Sequence, residues 1–443
     1  RQVREGGKTG KLLYARMMVI AASLAGAAPR SCAVIGGGIS GLSCAQRLQA
    51  LGIDATVFDT GKKAPGGRAS SRTLALPNGR FTYDHAAQFF TATGEFAEVV
   101  RDWEAEGVVR KWDRGLGVLD AASGVFREYD DNVPRWIGTR GMFDVVEKLT
   151  SGLRVRQDIW ISPDGTGVQR VDGRWKVSAS GKTLGIFDSV AIAHNGKCAE
   201  RLSGGTGAKE VRRLLRARFA PAVRPREDRL VLNSLYSLLF VLPKGAMPAG
   251  LSGARVVGSD SISFITAHDR KRPDCARALG PEEEAWTVIS TAAFGTRFKA
   301  PQESIPKQVE AEVIAKLLAA VAATVKAAAP LEPRRTKLQL WGAGVPLNCW
   351  RPAGDTPPCA IEPELSIGAC GDWLREPTIQ GAWESGRALA DALAAGPGAA
   401  GLLVTLRGSW VNVAELSADP AASGYFVDPP LAGGGAAAAG SAR

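Results

Sequence analysis

Ala33-Val34-Ile35-Gly36-Gly37-Gly38-Ile39-Ser40-Gly41-Leu42 runs an apolar strand straight into G-x-G-x-x-G and from there into a helix. This order of elements holds a dinucleotide. Gly36 allows the tight turn, Gly38 lets backbone approach a pyrophosphate, and Gly41 lets helix and strand pack closely. The phosphates meet the helix N-terminus, where unpaired N–H groups and the positive end of the helix dipole favour anionic oxygen. Glycine is abundant in this chain, 52 of 443 residues, so the pattern gains its weight from the residues downstream of it. The helix face Leu42, Ala45 and Leu48 leads through Gly52 into a second strand, Ala55-Thr56-Val57-Phe58, ending at Asp59. A carboxylate at that strand end accepts from ribose hydroxyls and repels a 2′-phosphate, so FAD or NAD is favoured over NADP.

At 443 residues the chain exceeds what one hydrophobic core serves, and two domains are expected. The net charge of +11 raises nucleic acid as a partner. The basic residues are dispersed, however, rather than interleaved with aromatics on one face, and no nucleic acid partner is expected. The densest basic run, Lys209 to Arg229, reads as a solvated insertion. Seven cysteines (Cys32, Cys44, Cys198, Cys275, Cys349, Cys359 and Cys370) lie far apart with no C-x-x-C pair, which fits a reducing compartment and gives no metal site. Cys32 and Cys44 read as small buried hydrophobes.

Residues 1–30 carry six Arg or Lys against Glu5, ahead of an Ala-rich apolar stretch. They read as a targeting segment or tail, with an organellar destination, plastid or mitochondrial, favoured over the cytoplasm or secretion. The apolar run Met17 to Ala28 is too short to cross a bilayer, and no integral membrane segment is expected. Further on, Phe96, Val99, Val100 and Trp103 have helical spacing, with Gly107 as a C-cap. Phe187 to Ala193 reads as a buried strand returning to the first sheet. A helix is expected over Pro306 to Ala329, with Val309, Val313, Leu317, Val321 and Val325 on its packed side and Pro330 as the stop. The Ala- and Gly-rich end, 396–443, reads as a partly disordered tail.

Five separated pieces are similar to one family. They are GGGISG with Asp59; Gly66-Gly67-Arg68-Ala69-Ser70-Ser71-Arg72; Asp84-His85-Ala86-Ala87-Gln88-Phe89-Phe90; Arg140-Gly141-Met142; and Gly368-Ala369-Cys370-Gly371-Asp372-Trp373 followed by Gln380-Gly381-Ala382-Trp383-Glu384-Ser385-Gly386. In this order, across roughly residues 31–395, they resemble the renalase-like branch of the FAD-dependent amine oxidase superfamily. The resemblance implies an α/β fold in which a Rossmann-like FAD-binding domain carries an inserted α+β substrate domain. The FAD-binding domain would comprise 31–90, 145–200 and 362–395, and the substrate domain 91–144 and 201–361.

FAD would then be held by Gly36, Gly38, Ile39, Ser40, Gly41, Asp59, Gly67, Arg68, Gly371, Asp372, Gln380, Gly381 and Ala382. Gln88, Trp341 and Trp383 would form the substrate pocket. Arg68 or Arg72 can put a guanidinium on phosphate or near the flavin. The helix starting near Gln380 would point its N-terminus at the pyrimidine end of the ring, where negative charge accumulates on reduction. The implied reaction takes a hydride from a small amine or a dihydro-nicotinamide-type substrate onto flavin N5, with dioxygen as acceptor and hydrogen peroxide as product.

Departures from the family pattern stand at Ala86, in place of a glycine, and at Gln339 and Leu340, in place of His and Arg. They leave open a flavin-binding protein without turnover; a carotenoid or terpenoid desaturase-like flavoenzyme using a quinone is a second class on the same scaffold. His85 reads as a packed or hydrogen-bonded residue, and no residue is assigned a catalytic role.

Overall fold

The computed structural model describes residues 31–354, 356–396 and 406–415. The expected targeting segment, 1–30, and the end of the expected tail lie outside these residues.

Ser31–Ile35 sits in the middle of a six-stranded sheet, between Ser189–Ile192 and Asp54–Phe58, to which it pairs in parallel. Arg154–Arg156 extends the sheet beyond Asp54–Phe58, while Ile367–Ala369 and the antiparallel edge strand Ala360–Glu362 extend it beyond Ser189–Ile192. Near-continuous apolar strands such as Ala33-Val34-Ile35 are what a parallel sheet covered on both faces requires. On one face Val34 and Val57 pack under the helices Ile39–Ala50 and Ile379–Ala395, joined by Phe96, Val100 and Trp103 of helix Gly94–Ala105. That last helix ends as the pattern requires, with Gly107 at φ +75°. On the other face Ile35, Val190 and Ile192 pack against Trp175 and Val177 of a three-stranded antiparallel meander.

A second sheet of seven strands is ordered Arg335–Trp341, Leu235–Pro243, Glu283–Ser290, Ile262–Ala267, Gly253–Val257, Leu116–Asp120 and Phe126–Glu128. All its pairings are antiparallel except Gly253–Val257 with Leu116–Asp120. One face is covered by helix Lys307–Thr324, whose Val313, Leu317 and Val321 meet Leu238, Phe240, Trp286 and Leu338. The helix stops five residues before the expected Ala329, because Lys326 takes a left-handed φ of +54°. The hairpin Ser71–Leu76 with Gly79–Asp84 links the two sheets, burying Phe81 and Tyr83 against Leu239 and Val241.

Two stretches differ from expectation. The basic run is not merely solvated: Val211, Leu214 and Leu215 of helix Lys209–Leu215 are buried, with Leu230 and Leu232, against the first sheet rather than the second. Arginine stems on the outside conceal an apolar stripe one helical face wide. In the expected tail, Gly408–Asn412 forms a strand against Asn348–Pro352, and its Trp410 stacks on Trp373 at 6.1 Å between ring centroids. Two tryptophan faces bury enough apolar area to order a short strand in an otherwise Ala- and Gly-rich region. Among the described residues no helix is long and apolar enough to cross a membrane.

Candidate functional site: a cavity between the two sheets

A cavity of about 410 Å³ runs from the C-terminal ends of the parallel strands to the second sheet. Loops at the carboxyl ends of parallel strands are where open α/β sheets take ligands. The glycine turn forms its floor. Gly36 has φ +115°, and a Cβ there would lie 2.9 Å from the Ala193 carbonyl oxygen. Gly41 is tighter, since its Cβ would sit 1.9 Å from the Gly36 carbonyl oxygen. Gly38 is different: a Cβ there would meet nothing within 4 Å and would occupy only the cavity. The Gly66–Gly67 turn closes over this loop, with the Gly66 N–H donating to the Gly37 carbonyl at 2.7 Å.

Asp59 and Asp372 both line the same cavity, 313 residues apart in sequence. The Asp59 carboxylate accepts from the Gly37 and Gly61 N–H groups, each at 2.8 Å. Asp372 is held by Arg68 in a two-pronged ion pair, Nη1–Oδ2 2.7 Å and Nη2–Oδ1 2.8 Å. That pair ties the Gly66–Gly67 turn to the segment that follows strand Ile367–Ala369. Beside it, Trp373 is fully buried, its indole N–H without a hydrogen-bond partner. Helix Ile379–Ala395 opens onto the cavity through Thr378, Ile379 and Ala382, capped by the Thr378 hydroxyl accepting from the Gly381 N–H at 2.8 Å.

Of the residues singled out in the sequence, Gly36, Gly38, Ile39, Ser40, Asp59, Gly67, Arg68, Gly371, Asp372, Ala382 and Trp341 line the cavity. Five do not. Gly41 lies behind the turn. Gln88 is fully buried, its amide donating to the Asp84 and Ala86 carbonyls. Trp383 packs on Phe96, 5.0 Å between centroids, in the helical layer. Gln380 bonds Thr93 and Glu384, and the Gly381 N–H is spent on the cap. Helical periodicity explains this group: Ala382 faces the cavity, whereas its neighbours on either side turn toward other elements.

The far end of the cavity is apolar. Phe89, Leu235, Ile289, Trp341 and Val345 line it, with Ser237 and Ala343. Behind this wall lies a charged cluster that sequence reasoning missed. Asp84 Oδ2 accepts from Lys271 Nζ at 2.8 Å and from Arg272 Nη1, while Oδ1 accepts from the Ser71 hydroxyl at 2.7 Å and the Met142 N–H at 2.8 Å. Burial alone would raise the Asp84 carboxyl, but the Arg272 and Lys271 charges hold it well below the usual carboxylate range. Burial lowers Lys271 to about 7 against the opposing pull of Asp84. Lys271 and Arg272 were not singled out in the sequence, and the one available signal was their position just past an apolar strand, Ile262–Ala267.

His85 is packed and hydrogen-bonded, its ring edge-on to Trp341 at 5.0 Å. The Ser70 hydroxyl donates to the Gly67 carbonyl at 2.7 Å and therefore accepts from His85 Nε2, 3.1 Å away, leaving Nδ1 as an unpartnered acceptor. Burial and the nearby Arg72 lower this imidazole to about 4, so it is neutral at pH 7. Arg72 itself donates to Gln339 Oε1 at 2.9 Å. The lining also includes Trp160, His194 and Cys198, which sequence reasoning missed. His194 and Cys198 lie just past Ser189–Ile192, at the carboxyl end of a parallel strand.

The family model of the NAD(P)-binding Rossmann-like domain matches residues 34–105. Among solved structures, an oxidoreductase from Methanosarcina mazei is 13% identical, with a TM-score of 0.51 over 80% of this chain and 98% of that one. Cyclohexylamine oxidase from Brevibacterium oxydans is 11% identical, with a TM-score of 0.51 over 83% of this chain and 99% of that one. The chain therefore has a mixed α/β fold with a Rossmann-like dinucleotide-binding domain, and shares the architecture of these two proteins.

Proposed function

We propose that the chain is an FAD-dependent oxidoreductase of the amine oxidase kind, close in type to the renalase-like branch. The observation that carries this is the convergence of the glycine turn with Asp59, the Gly371–Asp372 segment and a capped helix N-terminus on one cavity that continues into an apolar chamber. A nicotinamide dehydrogenase needs only the first of these. The residues fit a flavin dinucleotide on an independent ground: Gly38 leaves open space where a side chain would block a phosphate.

In this reading the amides of Gly38 to Ser40, at the start of the helix, face the pyrophosphate, the Gly36 and Gly37 N–H groups being held by the Phe58 carbonyl and Asp59, and Asp59 takes the adenosine hydroxyls. Gly371 and Asp372 hold the ribityl side. The Thr378–Ala382 helix start stabilises negative charge at the pyrimidine edge. Bound in this way, FAD would supply two-electron chemistry, with a hydride from a substrate C–H bond and a proton passed on to dioxygen as hydrogen peroxide. The protein's share is to orient the substrate against the ring and to exclude water with Phe89, Leu235, Ile289 and Trp341. Neutral His85 stays outside the chemistry, and the donor is a small amine or a dihydro-nicotinamide-type ring.

The test is the absorption spectrum of purified protein before and after acid precipitation, followed by anaerobic bleaching with candidate donors. Flavin bands and bleaching are expected. Colourless protein that refuses added FAD would sink the reading.

A further inference from the structure

We propose that the apolar end of the cavity selects an uncharged, largely apolar substrate and rejects an ammonium ion, so that an amine enters only as its free base. This rests on the flavin reading, since it concerns the chamber into which the ring would face.

Among the described residues the lining contains two carboxylates, Asp59 and Asp372, and neither is at this end. Both are already engaged, Asp59 by two backbone N–H groups and Asp372 by Arg68. The chamber wall is Phe89, Leu235, Ile289, Trp341 and Val345, four of them at most 6% exposed, with Ser237 and Gln302 as its uncharged polar members, the Ser237 hydroxyl donating to the His85 carbonyl and Gln302 Oε1 accepting from the Gly342 N–H. The charged and titratable groups behind it are Arg72, Asp84, His85, His268, Lys271 and Arg272. His85 and His268 are both lowered by burial and so neutral at pH 7. Asp84 is the sole carboxylate of this group and is shared between two cations. The surrounding field is thus neutral to positive.

An ammonium ion entering here gives up its hydration, at several kcal/mol, without gaining a counter-charge. The half-buried Trp341 ring returns about 2 kcal/mol, while Phe89 is packed on Trp112 and Phe264. Desolvation wins. A neutral ring loses little in water and gains about 25 cal/mol for each Å² of apolar surface it buries.

Three probes of one shape test this on the FAD-loaded protein: benzyl alcohol, benzylamine and benzyltrimethylammonium. Binding is read by the melting temperature and by perturbation of the flavin spectrum, with no turnover required. Benzyl alcohol is expected to bind at pH 7 at least about tenfold more tightly than either cation. The apparent Kd of benzylamine should fall about tenfold per pH unit on approach to its own pKa, while that of benzyltrimethylammonium stays flat. Ala343→Asp, which adds a carboxylate at the chamber wall, should reverse the order of benzyl alcohol and benzyltrimethylammonium. Benzyltrimethylammonium binding as well as benzyl alcohol to the unmodified chain, or no binding of benzyl alcohol, overturns the proposal. Melting shifts in the expected order from a protein that holds no flavin would instead overturn the cofactor reading alone.

Discussion

At its nucleotide end the cavity is walled by main chain, and at its sheet end by side chains. The first wall is made of Gly36 to Ser40, Gly66, Gly67 and Gly371, placed so closely that a carbon atom added at Gly36 strikes a carbonyl oxygen. The second is made of Phe89, Leu235, Ile289, Trp341 and Val345, with Leu235, Ile289 and Trp341 projecting from three neighbouring strands. A wall of main chain has one solution, because what it offers is N–H groups at fixed positions. A wall of side chains has many, since volume-conserving swaps on a rigid sheet change shape without changing fold. The cofactor end of such a molecule is therefore constrained, and the substrate end is adjustable.

The largest effect expected comes from the support of the adjustable end. Asp84→Leu leaves Lys271 and Arg272 buried without their counter-charge and should cost about 4 kcal/mol of stability, read as a fall in the urea midpoint with partial loss of soluble protein. If Asp84→Leu unfolds with an unchanged midpoint, the second wall does not depend on the cluster behind it. Gly41→Val should cost about 3 kcal/mol through overpacking at the turn, and flavin should dissociate on gel filtration. Retention of full flavin by Gly41→Val would erase the distinction between the two walls. Trp341→Leu should keep flavin stoichiometric and raise KM about tenfold, the worth of one large apolar contact, with kcat little changed. The smallest effect concerns pH. His85 titrates near 6.5 when unfolded and about 4 when folded, so the unfolded chain binds more protons between these values and stability falls as pH drops through that window. His85→Gln should show a shallower fall between pH 6.5 and 4 in urea titrations than the unmodified chain.

The same difference decides how much could be read in advance. Main-chain walls require glycine at fixed spacing beside a strand and a helix, and that requirement is visible in Gly36 to Gly41 and in Gly371-Asp372. Asp59 was legible for the same reason, as a carboxylate ending the neighbouring strand. The sheet wall leaves no comparable signature. Leu235 and Ile289 look like any residues of buried strands, and only the register that sets Ser237 opposite Ile289 brings their strands together. Trp341 was found, yet Gln88 and Trp383, chosen by the same resemblance, turn into the protein interior. The Asp84 cluster joins positions 187 and 188 residues apart in sequence, a pairing to which no local pattern points. Trp410 was hidden by composition, because its neighbours are those of a tail.

Trp410 and Asp372 also set an order of events. The glycine turn leaves the ribosome early, but Asp372, which Arg68 grips, the Ile379 helix, and the Gly408–Asn412 strand that sets Trp410 on Trp373 are made later. Until they emerge, the central strands lack an edge and the cavity lacks a side. Ala33-Val34-Ile35 has both neighbours once Ser189–Ile192 is made, so it is the outer edge of Ser189–Ile192 that a nascent chain must keep from wrong pairing until Ile367–Ala369 emerges.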